Sequence, residues 1–174
     1  MKPAILYLLA LTGFLFSARA DAPLPPPAEH SVKSPNGRFE ARFAPSPAQT
    51  TVFDLAASKP LWSKDGFHRQ AFLADDGRHL VASYDGYNLI PIGSKPDLVL
   101  LEFFDGPKRI KRVTLGEIIR DAAHLRRTVS HLHWGSSTGF DAEGHFCVET
   151  VEGRRLKFDT VTGRLAAEEA MKAK

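Results

Sequence analysis

The chain holds one cysteine, Cys147, in 174 residues. No intramolecular disulfide can form, so the fold must stand on packing. Long apolar runs are also missing. The longest, ILYLLALTGFLF at residues 5–16, is too short for the roughly 20 residues that carry a helix across a bilayer. Charge of one sign is not in excess, with 23 basic residues against 20 acidic. If the first twenty residues are removed, Lys2 and Arg19 go with them, and 21 basic residues face 20 acidic ones, a formal charge of +1. Nucleic-acid binding normally needs a concentrated positive face, and none is predicted. The one basic cluster, Lys108, Arg109, Lys111 and Arg112, reads as a strand with charges on both faces, which suits a solvated sheet edge. No H-E-x-x-H, paired-cysteine spacing or calcium-loop pattern is present. Cys147 lies in the apolar stretch HFCVETV and reads as a small buried hydrophobe.

What is present begins with the N-terminus. Lys2 precedes the apolar run, and SARA supplies Ala18-x-Ala20, a small-residue cleavage site. This is the layout of a secretory signal peptide over residues 1–20, with Ala22 as the alternative cut. The expected location is therefore periplasmic or extracellular. No cysteine stands at the cleavage site to carry a lipid. Residues 21–30, DAPLPPPAEH, form a Pro-rich leader. A single β domain is expected over residues 31–166, with a C-terminal tail over 167–174.

The rest reads as strands and turns. GRFEARFA alternates Phe39, Ala41 and Phe43 with Arg38, Glu40 and Arg42, the period of a half-buried strand. TTVFDL, AFLA, HLVASY, LVLLEFF, IKRVTL, HFCVETV and RLKFD follow in that style. Asn36-Gly37, Asp76-Gly77, Asp105-Gly106 and Glu152-Gly153 mark tight turns, because Gly accepts positive φ. One stretch differs. Thr114 stands three residues before Glu117, a capping box, and Ile118, Ile119, Ala122 and Leu125 follow at helical spacing, which predicts a helix over residues 115–126.

The strands group into three units. Each has an acidic residue or Asn before Gly, then a strand, then an apolar strand ending in Asp54, Asp105 or Asp159. SPNGRF…VFDLAASKPLW resembles the blade repeat of WD40-like and quinoprotein-like β-propellers. The resemblance implies an all-β fold of about three propeller-like antiparallel units and a binding surface, with no particular ligand. Three units leave two outer sheets with one face each to be covered. Two arrangements are open: the predicted helix as a cap over a monomer, which we favour, or a homodimer closing a six-unit ring.

Four features invite a chemical reading. Gly135 to Gly139 is a literal G-x-S-x-G, but the segment after Ser137 is a turn and a strand, whereas a hydrolase elbow needs a helix there. His131 and His133 share a strand face, and a metal would need a third ligand from His145, Asp141 or Glu143. The Asp-Gly pairs, Asp85-Gly86 included, are explained by turns. The stretch SYDGYNLIPIGSKPD, residues 83–97, is long for a connection, and Tyr84, Tyr87 and Asn88 on it suit recognition. The opposing reading is a structural cover, with Ile90 and Ile92 tucked down. The function expected is a non-catalytic exported binding or scaffold module for a protein, peptide or glycan, without nucleic acid, membrane span or cofactor. The alternative is a small metal-assisted hydrolase using His131 and His133. Mass spectrometry of exported protein should find Asp21 as its first residue; material still starting at Met1 would refute the leader.

Overall fold

The computed structural model describes residues 24–171. The predicted signal peptide and its cleavage site lie outside the described residues, and the last residue of the Pro-rich leader, His30, opens the first strand. The chain is nearly all β, as its alternating patterns predict. Strands β1 (His30–Lys33), β2 (Phe39–Pro45), β3 (Ala48–Asp54) and β4 (Lys59–Asp65) pair antiparallel in chain order as a first sheet. The second sheet begins with β5 (Ala71–Leu73) and β6 (His79–Ser83). The chain then leaves it for β7 (Leu89–Pro91) and returns as β8 (Val99–Asp105) and β9 (Lys108–Thr114), giving the order β5-β6-β8-β9. After a helical turn come β10 (Arg126–Arg127) and β11 (His131–His133), which join β7 in a small sheet of order β10-β11-β7. The last sheet holds β12 (Gly135–Phe140), β13 (Phe146–Thr150), β14 (Arg154–Phe158) and β15 (Leu165–Ala170) in chain order. Among the described residues no sheet closes into a barrel. β15 takes up residues 167–170, where the sequence pattern predicts a tail.

The second sheet is the middle layer. All five residues of β6 are buried, so both of its faces are covered. Leu80 and Ala82 join Phe39, Ala41, Phe43 and Val52 of the first sheet in one core. Val81 joins Phe103, Phe146, Val148 and Phe158 in the other. Phe103 meets Phe146 and Phe158 with ring centroids 6.0 and 5.8 Å apart, within the range where aromatic pairs add attraction to burial. Trp134 is fully buried in this second core, and its Nε1 donates to the Tyr87 carbonyl at 2.9 Å.

The turns that begin the three four-stranded sheets share one hydrogen bond. Gly37 N donates to Ser34 O, Gly77 N to Ala74 O and Gly144 N to Asp141 O, and all three glycines have positive φ. In the first two turns the residue before Gly caps the strand that follows. Asn36 Oδ1 accepts from Arg38 N, and Asp76 Oδ1 accepts from Arg78 N and His79 N. Glu143 holds that place in the third turn, and Asp141 Oδ1 takes over, accepting from Glu143 N and His145 N. The closing aspartates are each engaged. Asp54 pairs with Arg38 and Asp105 with Arg78, while Asp159 accepts from Thr162 N and Oγ1.

The predicted helix is cut short. It spans Leu115–Ile118 and is followed by a separate 3-10 turn at Ala122–His124. Glu117 accepts from Thr114 N at 2.8 Å, as its place in the capping box requires. The helix stops because its next backbone groups find other partners. Arg154 Nη2 donates to Ile118 O, and the Glu152 carboxylate accepts from Arg120 N and Asp121 N. Leu115, Ile118 and Ile119 sink into the second core, whereas Ala122 is exposed. Leu125 packs against the same core, so the segment is a plug in that core and not one continuous helix lying over an outer face. The outward faces of the outer sheets carry charge instead. Arg42 pairs with Glu40 and lies over the Phe53 ring, Arg155 pairs with Glu149, and Lys157 with Glu169.

The first and second sheets are joined through their turns. Asn36 N donates to Asp75 Oδ1 at 2.7 Å, and Trp62 Nε1 donates to Gly77 O at 2.9 Å. A Cβ on Gly77 would stand 2.5 Å from the Phe39 ring, while one on Gly37 would meet nothing within 4 Å. Both residues are left-handed, at φ +66 and +72. Gly37→Ala should cost about 1 kcal/mol for the backbone conformation alone. Gly77→Ala should cost more, because the ring must also move. Equal urea midpoints for the two variants would show that the joint tolerates the added methyl.

Candidate functional site

The site is laid out by strand register. Ala82 of β6, Glu102 of β8 and Arg112 of β9 stand opposite one another in a single cross-strand row. An uninterrupted strand would put Arg109 on the opposite face from Arg112. The ladder instead skips Ile110, pairing Phe103 with Lys111 and Phe104 with Arg109. This bulge turns both arginines toward Glu102. Arg109 Nη1 and Arg112 Nε both donate to Glu102 Oε1, at 2.9 and 3.1 Å. Lys111 is left to pair with Glu117. The basic cluster thus lies on an edge strand, as its pattern predicts, with Arg109 and Arg112 sharing one carboxylate and Lys111 paired with another.

The first sheet supplies the other components. Lys64, at the end of β4, places its Nζ 4.5 Å from the Phe104 ring centroid and 3.0 Å from His68 Nε2. An ammonium has no lone pair to offer, so Nε2 is the acceptor and the ring proton belongs on Nδ1. The His68 ring lies 5.6 Å from Phe104 and 6.4 Å from Phe43. Beyond β6 the chain adds Tyr84, whose N–H donates to Leu100 O, and Asp85, whose Oδ1 accepts from Arg69 N. Beside them opens a cleft of about 370 Å³, lined by His68, Ser83, Tyr84, Asp85, Glu102 and Arg112 with Ala82, Val99 and Leu100 as its apolar part.

Burial governs the ionisation here. It lowers the Lys64 pKa, with Arg109 adding to that and Glu102 and Asp65 opposing it. Burial also lowers His68, helped by the Lys64 charge and opposed by Asp85 and Glu102. The Tyr84 phenol is pushed up by burial and by Asp85. At neutral pH the cleft presents a neutral imidazole and a neutral phenol between charges of both signs.

Of the three residues expected to recognise a partner, the structure brings Tyr84 to the cleft. Tyr87 and Asn88 do not line it: their backbone carbonyls accept from Trp134 Nε1 and Trp134 N, and their side chains are exposed elsewhere on the surface. Ile90 is fully buried on β7, as a cover requires, but Ile92 is 46% exposed. The long connection therefore folds partly into the small sheet. His131 and His133 sit on β11 opposite Pro91 and Leu89. Burial and the charge of Arg126 lower the His133 pKa. His145 lies in the turn of the last sheet, 3.6 Å from Asp141 Oδ2 and 3.5 Å from Glu143 Oε2. Among the described residues, Asp141, Glu143 and His145 are the group able to hold a metal, and neither His131 nor His133 belongs to it. Lys157 Nζ already stands 3.5 Å from Asp141 Oδ2, where it competes with any cation.

The other sequence candidates are engaged elsewhere. Ser137 lies within β12, and its hydroxyl bonds the Ser83 hydroxyl at 2.9 Å. The segment after it is a strand and a turn, without the helix of an elbow. Cys147 is buried, and burial together with Asp141 pushes its thiol pKa up. Lys64, His68, Glu102 and Arg112 do not stand out in the sequence as site residues. Glu102 does leave a signal: it is the one charge inside the run LVLLEFF, at a position where a buried strand would be apolar throughout.

No family model matches the chain, and no curated protein does. Among solved structures, the chain is similar to Kuenenia stuttgartiensis hydrazine synthase at a TM-score of 0.38 and 13% identity, over 81% of this chain and 36% of that chain. The chain thus spans little more than a third of that structure's length. What the geometry defines is an all-β protein of four antiparallel sheets, with a charged cleft on its middle layer.

The lowered pKa of His68 has a sign that can be tested. The unfolded chain takes up its histidine protons near pH 6.5, roughly the unperturbed value, while the folded chain holds His68 neutral to lower pH. This contribution is fully present above that value and is lost as pH falls toward the folded pKa. His133 adds to it in the same direction. Urea midpoints should fall between about pH 7.5 and 5.5, and His68→Gln should flatten part of that slope. An unchanged slope in the variant would show that His68 titrates as it does in the unfolded chain.

Proposed function

We propose that this chain is an exported, non-catalytic binding module, and that the cleft beside Glu102 and Arg112 is where it holds its partner. The observation that carries this reading is the row across β6, β8 and β9, which fixes opposite charges on rigid strands next to an aromatic residue. Rigid strands hold such groups more firmly than loops do. A concave site with a few convergent polar groups over an apolar floor is the usual form of a small-ligand or peptide-terminus site. Two groups that would suggest covalent chemistry, Ser137 and Cys147, are a serine bonded to another serine and a buried thiol with a raised pKa. The three four-stranded sheets with their shared turn support reading them as propeller-like units, stacked in an open arrangement. The partner is a protein, peptide or glycan met outside the cytoplasm.

The test is amide-resolved NMR titration of the purified protein with peptide and oligosaccharide pools. Shifts should concentrate at residues 82–85, 99–102 and 112. Tyr84→Ala should weaken the interaction by roughly tenfold, about 1.4 kcal/mol. Turnover of a pool component, or stoichiometric zinc bound at His131 and His133 in the purified protein, would overturn the non-catalytic reading in favour of the metal-assisted hydrolase.

A further inference from the structure

The ligand class follows from which groups in the cleft still have hydrogen-bonding capacity. A guanidinium carries five N–H donors. Glu102 engages Arg112 through Nε, and no other bond among the described residues involves that side chain, which is 53% exposed. Its terminal nitrogens therefore remain free to hold a planar anion in two parallel hydrogen bonds, the arrangement that matches a carboxylate. Asp85 is in the opposite condition. Its Oδ1 accepts from Arg69 N, and its Oδ2 has no partner among the described residues. An exposed carboxylate oxygen is an acceptor for an ammonium.

The charges around the cleft support this division. Lys64, Arg109 and Arg112 bring positive charge, Glu102 and Asp85 bring negative charge, and His68 is held neutral. The positive charge gathers beside Glu102, where it favours a carboxylate, while Asp85 offers negative charge to an ammonium. Ala82, Val99 and Leu100 add an apolar part to the lining. A volume of about 370 Å³ is at the small end of ligand sites and excludes a long polymer from lying wholly inside.

We propose that the cleft takes a peptide-like zwitterion, a free amino acid or a short peptide, with its carboxylate on Arg112, its ammonium on Asp85 and its side chain on the apolar part of the lining. The proposal rests on the cleft being the recognition site and adds the chemistry of the occupant. Glu102 then acts as a positioning residue. It accepts from Arg112 Nε and so fixes the plane in which the terminal nitrogens meet the ligand.

Calorimetry and amide-resolved NMR on the purified protein test this with L-alanine, L-alanyl-L-alanine and tri-L-alanine, which separate a free amino acid from a peptide. N-acetyl and C-amide forms of the dipeptide, and the neutral disaccharide maltose, complete the set. Acetylation and amidation should each weaken binding by at least roughly tenfold, since each removes one charged hydrogen-bonded contact. Arg112→Gln should bind free acid and amide alike. Asp85→Asn, which keeps the acceptor for Arg69 N, should bind free amine and acetylated amine alike. Blocked and free dipeptides binding equally to the unmodified protein would overturn the proposal. Maltose shifting residues 82–85 and 99–102 while the alanine series does not would overturn it and leave the cleft standing as a binding site. No shift there with any ligand, including the broader pools, would remove the binding reading as well.

Discussion

The structure depends on one sheet being buried on both faces. β6 carries His79, Leu80, Val81, Ala82 and Ser83, and all five are covered. Its two faces belong to two different cores. A strand covered on one side alternates in polarity, and one covered on both need not. Once the middle sheet is committed in this way, the outer sheets have one apolar face each to bury, and each buries it inward. Their outward faces then go to water. The ion pairs Arg42–Glu40, Arg155–Glu149 and Lys157–Glu169 lie there. Exposed pairs of this kind add little stability. What they do is keep the outer faces soluble, so that the stack ends without a helical cap.

The cleft arises from the same arrangement, where cover by the first sheet stops. Leu80 and Ala82 meet the first sheet's core, but the row continues outward through Glu102 to Arg112. A carboxylate so close to a core needs counter-charges and hydrogen bonds to offset its lost hydration. Arg109 and Arg112 supply both, through a bulge that brings them to one face. Two cations on one carboxylate leave an excess of positive charge, and the reactive-looking Lys64–His68 contact sits at the same border. The features that suit this region for recognition are the ones that make the edge of a core electrostatically tolerable.

Much of the fold is legible in the sequence because it is local. The alternation of residues 38–43 reappears as buried Phe39, Ala41 and Phe43 with Glu40 and Arg42 outward. The first turn of each four-stranded sheet is visible as Gly preceded by Asn, Asp or Glu, and the aspartates ending β3 and β8 stand at the ends of their strands. The helix departs from its pattern for a reason no local rule contains. Thr114 and Glu117 cap it as their spacing predicts, but Glu152 and Arg154, more than thirty residues on, take the backbone groups that would have continued it. Tyr84, Tyr87 and Asn88 share one local sign, a long connection with aromatic residues. That Tyr84 lines the cleft while Trp134 takes the backbone carbonyls of Tyr87 and Asn88 is settled by contacts no local pattern contains.

The sequence alone determined the strand-and-turn character of this chain, the edge placement of its basic strand and the lack of a disulfide, since each depends on side-chain period, on glycine's tolerance of positive φ or on residue count. Only the tertiary structure decided that Glu102 would meet two arginines and that Lys64 of the first sheet and His68 after it would settle against Phe104 of the second. Those contacts are set by a one-residue bulge and by the stacking of separate sheets. Neither is encoded in any short window, because both follow from how distant apolar faces settle against one another.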